Sequence, residues 1–458
     1  MLKKNDVIEL QITDITNLGF GVGRHGGQIV FASGTVTGDF ASVKIIKVNK
    51  SYAIAKVEKI IEKSKHRQES FCSYGGCKSC AYKELSYEYE LSLKKNTIRT
   101  AFNSQGLTEI TVMPTVPSPA QCKYRNKAQY PISKMKDGRY VIGFFAPKSH
   151  RVTDAIACPL APLEFGEING ALAEFFMLND FSVYDEESGS GLLRHVYLRR
   201  SEKKGEILLT LVINADSLPA SAELVAFMTE RFPSIVGILI NVNKQKTNVI
   251  LGEKYITLYG RDYIVDTLLG VELRISAPAF YQINHGATEL LYKKAKELAN
   301  LKKSDTLLDL FCGIGSIGLS MAGEAGELIG IEIVDSAVKC ARENAKTAGI
   351  DNAHFFTGDA TKTEQLLSYA EAELGRKILP DVIILDPPRA GCDEGLIDFA
   401  SSLSPKRIVY ISCNPTTLAR DVKRFFKNGY TADTVYGFDL FPKTGHVESV
   451  VCLTRQTK

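Results

Sequence analysis

Apolar residues fall into three successive patterns along the chain. From 5 to 61 they come in short alternating runs, VIELQIT, GQIVFAS, ASVKIIKV and SYAIAKVEKI, separated by glycine-rich turns such as LGFGVGRHGG at 18–27. Alternation with period two marks half-buried strands, because successive side chains on a strand point to opposite faces. Strands this short and this closely spaced predict a small OB-like β-barrel over 1–61. From about 122 to 270 strand-like alternation returns in KAQYPIS, YVIGFFA, LRHVYLRRS, EILLTLVIN, VGILINVN and YITLYG, interrupted by the helical run SAELVAFMTERF. Together with a helical stretch at 82–105 this predicts an antiparallel α+β domain over 62–270. Beyond 271 apolar strands alternate with amphipathic helices: DTLLDLF with SIGLSMA, ELIGIEI with DSAVKCARENAKTAG, DVIILD with EGLIDFASSL, RIVYISC with TLARDVKRFFKNG. That rhythm predicts a multi-domain chain ending in an α/β, Rossmann-like doubly wound sheet over 271–458.

Composition adds limits. A chain of 458 residues with 45% hydrophobic and 24% charged residues has enough apolar material for proper cores, which excludes a disordered protein. The net charge of +4 is too small to announce nucleic-acid binding by itself, but residues 1–70 hold 11 Lys or Arg against 7 Asp or Glu, an excess equal to that of the whole chain. Charge concentrated in one small segment suits an accessory domain that contacts phosphates. The opening MLKKNDVIEL lacks the apolar run of a signal peptide and no stretch approaches membrane-spanning length, so a cytoplasmic protein is expected. Ten cysteines in a reducing compartment are expected to be thiols rather than disulfides.

Chemistry concentrates at the ends of the C-terminal strands. LDLFCGIGSIGL at 308–319 runs from a strand through Gly313-x-Gly315-x-x-Gly318 into a helix, a turn whose missing side chains let a ligand approach the backbone. Asp309 precedes the loop, and Glu332 ends the next strand where a carboxylate can take both hydroxyls of a ribose. These features suit dinucleotides equally well. Asp386-Pro387-Pro388 at the end of DVIILD turns the reading toward S-adenosylmethionine, since hydride transfer has no use for a stiffened Asp-Pro-Pro exit. The following strand ends in Ser412-Cys413-Asn414-Pro415, at the same sheet edge. Uracil C5 is a poor nucleophile; a thiolate added at C6 makes C5 enolate-like and able to take a methyl group. A base must then remove the C5 proton, and Glu448 in GHVES, on a late strand expected to lie near the others, is the best candidate.

Taken together, YRNKAQYP at 124–131, FYQIN at 280–284, LDLFCGIG, GIEI, LDPPR, SCNP and HVES resemble the RNA 5-methyluridine methyltransferase family, the bacterial 23S ribosomal RNA uracil-5-methyltransferases in particular. The resemblance covers nearly the whole chain, with a TRAM-type barrel at its start. It implies that Gln282, Phe311, Glu332 and Asp386, with Gly313 and Gly315 of the loop, contact S-adenosylmethionine, that Cys413 is the nucleophile, and that Glu448 is the proton acceptor. It implies ribosomal RNA as partner, with the target uridine flipped out of its stack. Phe280 is a candidate to stack on that base or to support the pocket, and nothing demands more than a monomer. Cys72-x4-Cys77-x2-Cys80, with Cys158 of IACPL, offers four thiolates, which can hold a [4Fe–4S] cluster or a tetrahedral zinc. The resemblance favours the iron–sulfur cluster, although the first gap, spanned by Ser73-Tyr74-Gly75-Gly76, is one residue shorter than is usual in the family; Cys122 is a less favoured ligand. The competing expectations are the transfer-RNA branch of the same chemistry, whose members tend to lack barrel and cluster, and an RNA-binding iron–sulfur protein with a retired methyltransferase domain.

Overall fold

The structure, a computed structural model, describes residues 2–74, 77, 79–146, 149–154, 158–360, 362 and 366–456. Gly75 and Gly76 of the loop in the first cysteine gap, and Ile156 and Ala157 of IACPL, lie outside the described residues.

At the N-terminus six strands are bonded in the order Val7–Gln11, Phe40–Val48, Tyr52–Glu62, Gln28–Ser33, Phe20–His25, Asp14–Ile15. Leu10, Val30, Ala32, Val43 and Ala53 turn inward and are buried together, as period-two patterning requires. At Gly23 a Cβ would lie 2.5 Å from the Gln11 carbonyl oxygen, so only glycine lets strands Val7–Gln11 and Phe20–His25 approach this closely.

The middle region is a seven-stranded sheet in the order Val152–Asp154, Tyr140–Phe145, Lys127–Lys134, Leu193–Arg200, Ile207–Ile213, Ile235–Val242, Lys254–Gly260. Two features depart from the expected antiparallel pattern. Ile207–Ile213 and Ile235–Val242 pair in parallel, because the Ser221–Arg231 helix carries the chain back to the starting end, which a parallel neighbour requires. A second helix, Leu163–Asn179, was not expected. It lays Phe165, Ile168, Leu172 and Phe176 on the sheet, a helical spacing that Gly166 and Gly170 disguise in the sequence.

The C-terminal sheet runs Ala353–Thr357, Glu327–Glu332, Thr306–Leu310, Val382–Leu385, Arg407–Ser412, Glu448–Arg455, Thr434–Phe438, Thr111–Val112. The first five strands are parallel, and Glu448–Arg455 is antiparallel to both its neighbours. Chain order reverses between Thr306–Leu310 and Val382–Leu385, which opens a crevice at the carboxyl ends of the strands. The Tyr87–Ser104 helix, which by sequence alone could pack on either neighbouring domain, packs here. Its Ile98, Ala101 and Phe102 share a core with Leu308, Leu418, Val422 and Phe425, and Thr111–Val112 adds a strand to the sheet edge. An amphipathic pattern says that a helix has a partner but not which one. Among the described residues no helix is long and apolar enough to cross a membrane.

Candidate active site

The glycine loop is folded by backbone demands that the sequence meets at each step. Phe311 adopts φ +66, followed by Gly313 at +54 and Gly315 at +82. A left-handed phenylalanine is strained, and the Cys312 amide anchors the turn by donating to the Ile331 carbonyl at 3.0 Å. Gly318 serves packing: its N–H donates to Asp309 Oδ2 at 3.0 Å, and a Cβ would sit 2.8 Å from that oxygen and 2.8 Å from Leu328 Cδ1. Asp309 is fully buried, and its Oδ1 has no hydrogen-bond partner among the described residues. Burial pushes its carboxyl up to about 8, with Asp386 and Glu332 adding to the shift and the Gly318 bond opposing it. Glu332 is oriented by the Gly313 amide on Oε2 at 3.0 Å and the Val334 amide on Oε1 at 2.9 Å. Each oxygen keeps acceptor capacity for a further donor.

Gln282 is buried and held through its backbone. The Asn126 side chain donates to the Gln282 carbonyl at 2.7 Å, and the Asn126 amide to the Ile283 carbonyl at 2.9 Å, so the YRNK and FYQIN segments are two sides of one junction. Asn284 is a helix cap: its Oδ1 accepts from the Ala287 amide while its Nδ2 donates to Ser118 Oγ and the Leu440 carbonyl. Phe280 is 65% exposed, with Lys127 Nζ 5.1 Å from its ring centroid.

Ser412 and Ser449 form the last pair between strands Arg407–Ser412 and Glu448–Arg455. Cys413 and Glu448 are therefore brought together just beyond that pair. Burial raises the Cys413 thiol, Glu448 and Asp386 add to this, and the Arg389 guanidinium opposes it. Glu448 is 3% exposed; burial, with Asp386 adding and Arg389 opposing, pushes it up to about 8. Burial takes Asp386 up to about 7. The Arg389 backbone is held in turn, its carbonyl accepting from Asn414 Nδ2 at 3.1 Å and Thr417 Oγ1 at 3.3 Å. The crevice thus gathers three carboxyls with raised proton affinity, one thiol, and one guanidinium at the rim.

Away from the crevice, Cys72, Cys77, Cys80 and Cys158 line one cavity with Phe71, Arg125, Phe144 and Pro159. Burial pushes the Cys80 thiol up to about 12, with Arg125 opposing and the other three thiols adding. Among the described residues no set of three or more His, Cys, Asp or Glu is drawn close enough to hold a metal ion. Cys122 is exposed and is not among the residues lining the cavity.

The sequence profile of the tRNA (Uracil-5-)-methyltransferase family matches residues 86–456. The chain belongs to that family. A TRAM domain profile matches residues 2–57, the N-terminal barrel. Uncharacterized RNA methyltransferases of Halalkalibacterium halodurans and Listeria monocytogenes are 37% and 38% identical, each over 99% of this chain and 98% of theirs. The tRNA (uracil-54, C5)-methyltransferase of Pyrococcus abyssi, solved with S-adenosyl-L-homocysteine, matches with a TM-score of 0.78 and 26% identity, over 98% of this chain and 100% of that one. This likeness corrects one expectation. A protein named for tRNA aligns across the barrel as well, so the N-terminal region does not separate ribosomal from transfer RNA.

For this methyltransferase, sequence reasoning missed Tyr292, fully buried beneath the crevice with its hydroxyl 3.4 Å from Ser316 Oγ, and gave Arg389 no role at the thiol. Arg389 was visible in LDPPR; Tyr292 lies in an ordinary amphipathic helix and left no signal.

Proposed function

We propose that this protein transfers the methyl group of S-adenosylmethionine to C5 of a uridine in 23S ribosomal RNA, with Cys413 as nucleophile and Glu448 as base. The placement of Cys413 and Glu448 beyond one strand pair, with Asp386 alongside, carries the reading. Gln282, Phe311, Gly313, Gly315, Glu332 and Asp386 would hold S-adenosylmethionine, which supplies an electrophilic methyl group. The Cys413 thiolate adds to C6, and the rim guanidinium of Arg389 favours the thiolate. C5 then takes the methyl group. Glu448 accepts the C5 proton, the C5–C6 double bond re-forms, and the thiolate leaves. The exposed ring of Phe280 offers a stacking face for a base extruded from the RNA.

Cys72, Cys77, Cys80 and Cys158 would hold a [4Fe–4S] cluster, zinc being the alternative. What supports this is the chemistry of the donor set: four thiols line one cavity with Arg125 offering positive charge beside them, although among the described residues they are not drawn to within reach of one common ion. Such a cluster would brace the fold, since methyl transfer needs no electron. Protein purified without oxygen should be brown, absorbing near ~400 nm; colourless, zinc-loaded protein would reverse the assignment.

The second reading, methylation of a transfer-RNA T-loop uridine, is favoured by the full-length likeness to the Pyrococcus abyssi enzyme. One experiment tests both. The protein is incubated with S-adenosylmethionine and 5-fluorouracil-substituted transcripts of 23S ribosomal RNA or of tRNA. Fluorine blocks proton removal, so the true substrate becomes covalently trapped. A trapped 23S transcript that Cys413→Ala fails to form supports the proposal, a trapped tRNA moves the target, and no adduct with either RNA refutes the covalent chemistry.

A further inference from the structure

The chain between strands Thr434–Phe438 and Glu448–Arg455 ends on Glu448, and it is gripped by buried charge from outside the hairpin. Glu90 and Lys94, one turn apart on the Tyr87–Ser104 helix, are buried, as is Asp439. Lys94 Nζ donates to Glu90 Oε1 at 2.7 Å, to Asp439 Oδ1 at 2.6 Å and to the Phe441 carbonyl at 3.2 Å. The Tyr87 hydroxyl donates to Asp439 Oδ2 at 2.8 Å and accepts from the Ser118 amide at 2.8 Å. Glu90 Oε1 also accepts from the Lys443 amide at 2.7 Å, with Lys443 itself at φ +69.

Buried ion pairs seldom add net stability over apolar residues of equal size; what they supply is direction, since each bond fixes a partner's position. Here the bonds converge on the backbone of one connection. Asp439 follows Phe438, and Phe438 is the cross-strand partner of Glu448. The anchored residue is therefore one step from the residue paired with the carboxyl.

We infer that the Glu90–Lys94–Asp439 triad, with the Tyr87 hydroxyl, is a positioning device for Glu448, holding its carboxyl in place for removal of the C5 proton. The inference rests on the reading of Glu448 as base. Thiolate addition and methyl transfer do not use that carboxyl, so loosening the triad should slow only the last step. In that step the C5 proton passes to Glu448, the C–H electron pair re-forms the C5–C6 double bond, and the Cys413 thiolate departs. Methylated RNA should then accumulate on Cys413 with ordinary uridine as substrate.

The test uses Lys94→Met and the gentler Tyr87→Phe in the full chain. The RNA is the unsubstituted form of whichever transcript the fluorouracil experiment traps, and the methyl donor is radiolabelled. Expected are a kcat lowered about tenfold with KM for RNA unchanged, label migrating with denatured protein, and wild-type affinity for S-adenosylhomocysteine. Should Lys94→Met fail to fold, Tyr87→Phe decides alone. Wild-type turnover, or loss of methyl transfer with no protein-linked label, would overturn the inference. Glu448→Gln is the control: if it accumulates no methylated adduct, the base assignment has failed and not the clamp.

Discussion

Breakdown of the methylated Cys413–uracil adduct should depend on pH through Glu448. A carboxyl accepts the C5 proton only when ionised, and this one is pushed up to about 8 by burial, with Asp386 adding and Arg389 opposing. Its raised proton affinity means that the basic form is lost as pH falls through that value. The donor does not alter this at the step concerned, because once the methyl group has moved the sulfonium has become a neutral thioether. With a midpoint near 8, the ionised fraction is about one half at pH 8 and roughly 1% at pH 6, so release should slow about fiftyfold across that interval. The assay is a single turnover with labelled methyl donor, stopped in denaturant at successive times and read as label on protein against label on free RNA. Glu448→Gln should hold the adduct at every pH, slower by about 10²–10⁴. Release that is flat between pH 6 and 8, or a Glu448→Gln enzyme that releases as fast as the wild type, would refute the assignment.

Gly318→Ala forces a methyl group to within 2.8 Å of both Asp309 Oδ2 and Leu328 Cδ1; overpacking of this kind costs about 1–3 kcal/mol, and an unchanged urea midpoint would refute the tight fit. At the barrel exit, Asp39 accepts from the amides of Val36 and Ser64 and from Arg67, and Arg67 also bonds Glu84. Against the upward push of burial, Arg67 and these two amides hold the Asp39 carboxyl below its ordinary value. Its stabilisation should therefore be present above about pH 4 and lost as pH falls through the lower folded value. Asp39→Ala should cost about 3 kcal/mol at neutral pH and remove that acid-side loss, read by thermal melts from pH 3 to 7; wild-type acid sensitivity in the variant would count against it.

Strand–helix alternation after 271, the glycine loop and the strand-end motifs were legible because each is a local pattern with a local cause. The pairing of Cys413 with Glu448 was not, since it depends on register between strands separated by the Pro415–Lys427 helix and the strand Thr434–Phe438. The Tyr87–Ser104 helix shows the same limit from the other side. Its Glu90, Lys94 and Ile98 fall at helical spacing, yet two of the three are charged, and a sequence reading takes charged positions for the solvent face. Only Asp439, far along the chain, explains why they are buried. The Leu163–Asn179 helix was hidden by its two internal glycines, and the parallel pair in the middle sheet by a crossover helix read as an interruption.

The carboxyls of the crevice make one more claim about the ligand. Asp386 is raised to about 7, Glu448 to about 8 and Asp309 to about 8, in each case chiefly by burial. None of the three forms an ion pair with Lys, Arg or His among the described residues. Such a group of acids is underionised near neutrality and would gain most from a cation placed among them. S-adenosylmethionine and S-adenosylhomocysteine share every group except the methyl and the positive charge it puts on sulfur, so their affinity ratio isolates that charge. At about pH 6 the acids are largely protonated and the sulfonium meets little negative charge; by about pH 8.5 most of each is ionised. The ratio favouring S-adenosylmethionine should therefore climb from pH 6 to 8.5, and its binding should release protons near neutrality, seen as heats that vary with the buffer's ionisation enthalpy. Asp386→Asn should flatten the climb. If the ratio is independent of pH in the wild type, these carboxyls do not sense the sulfonium, and the methyl donor does not place its charge among them.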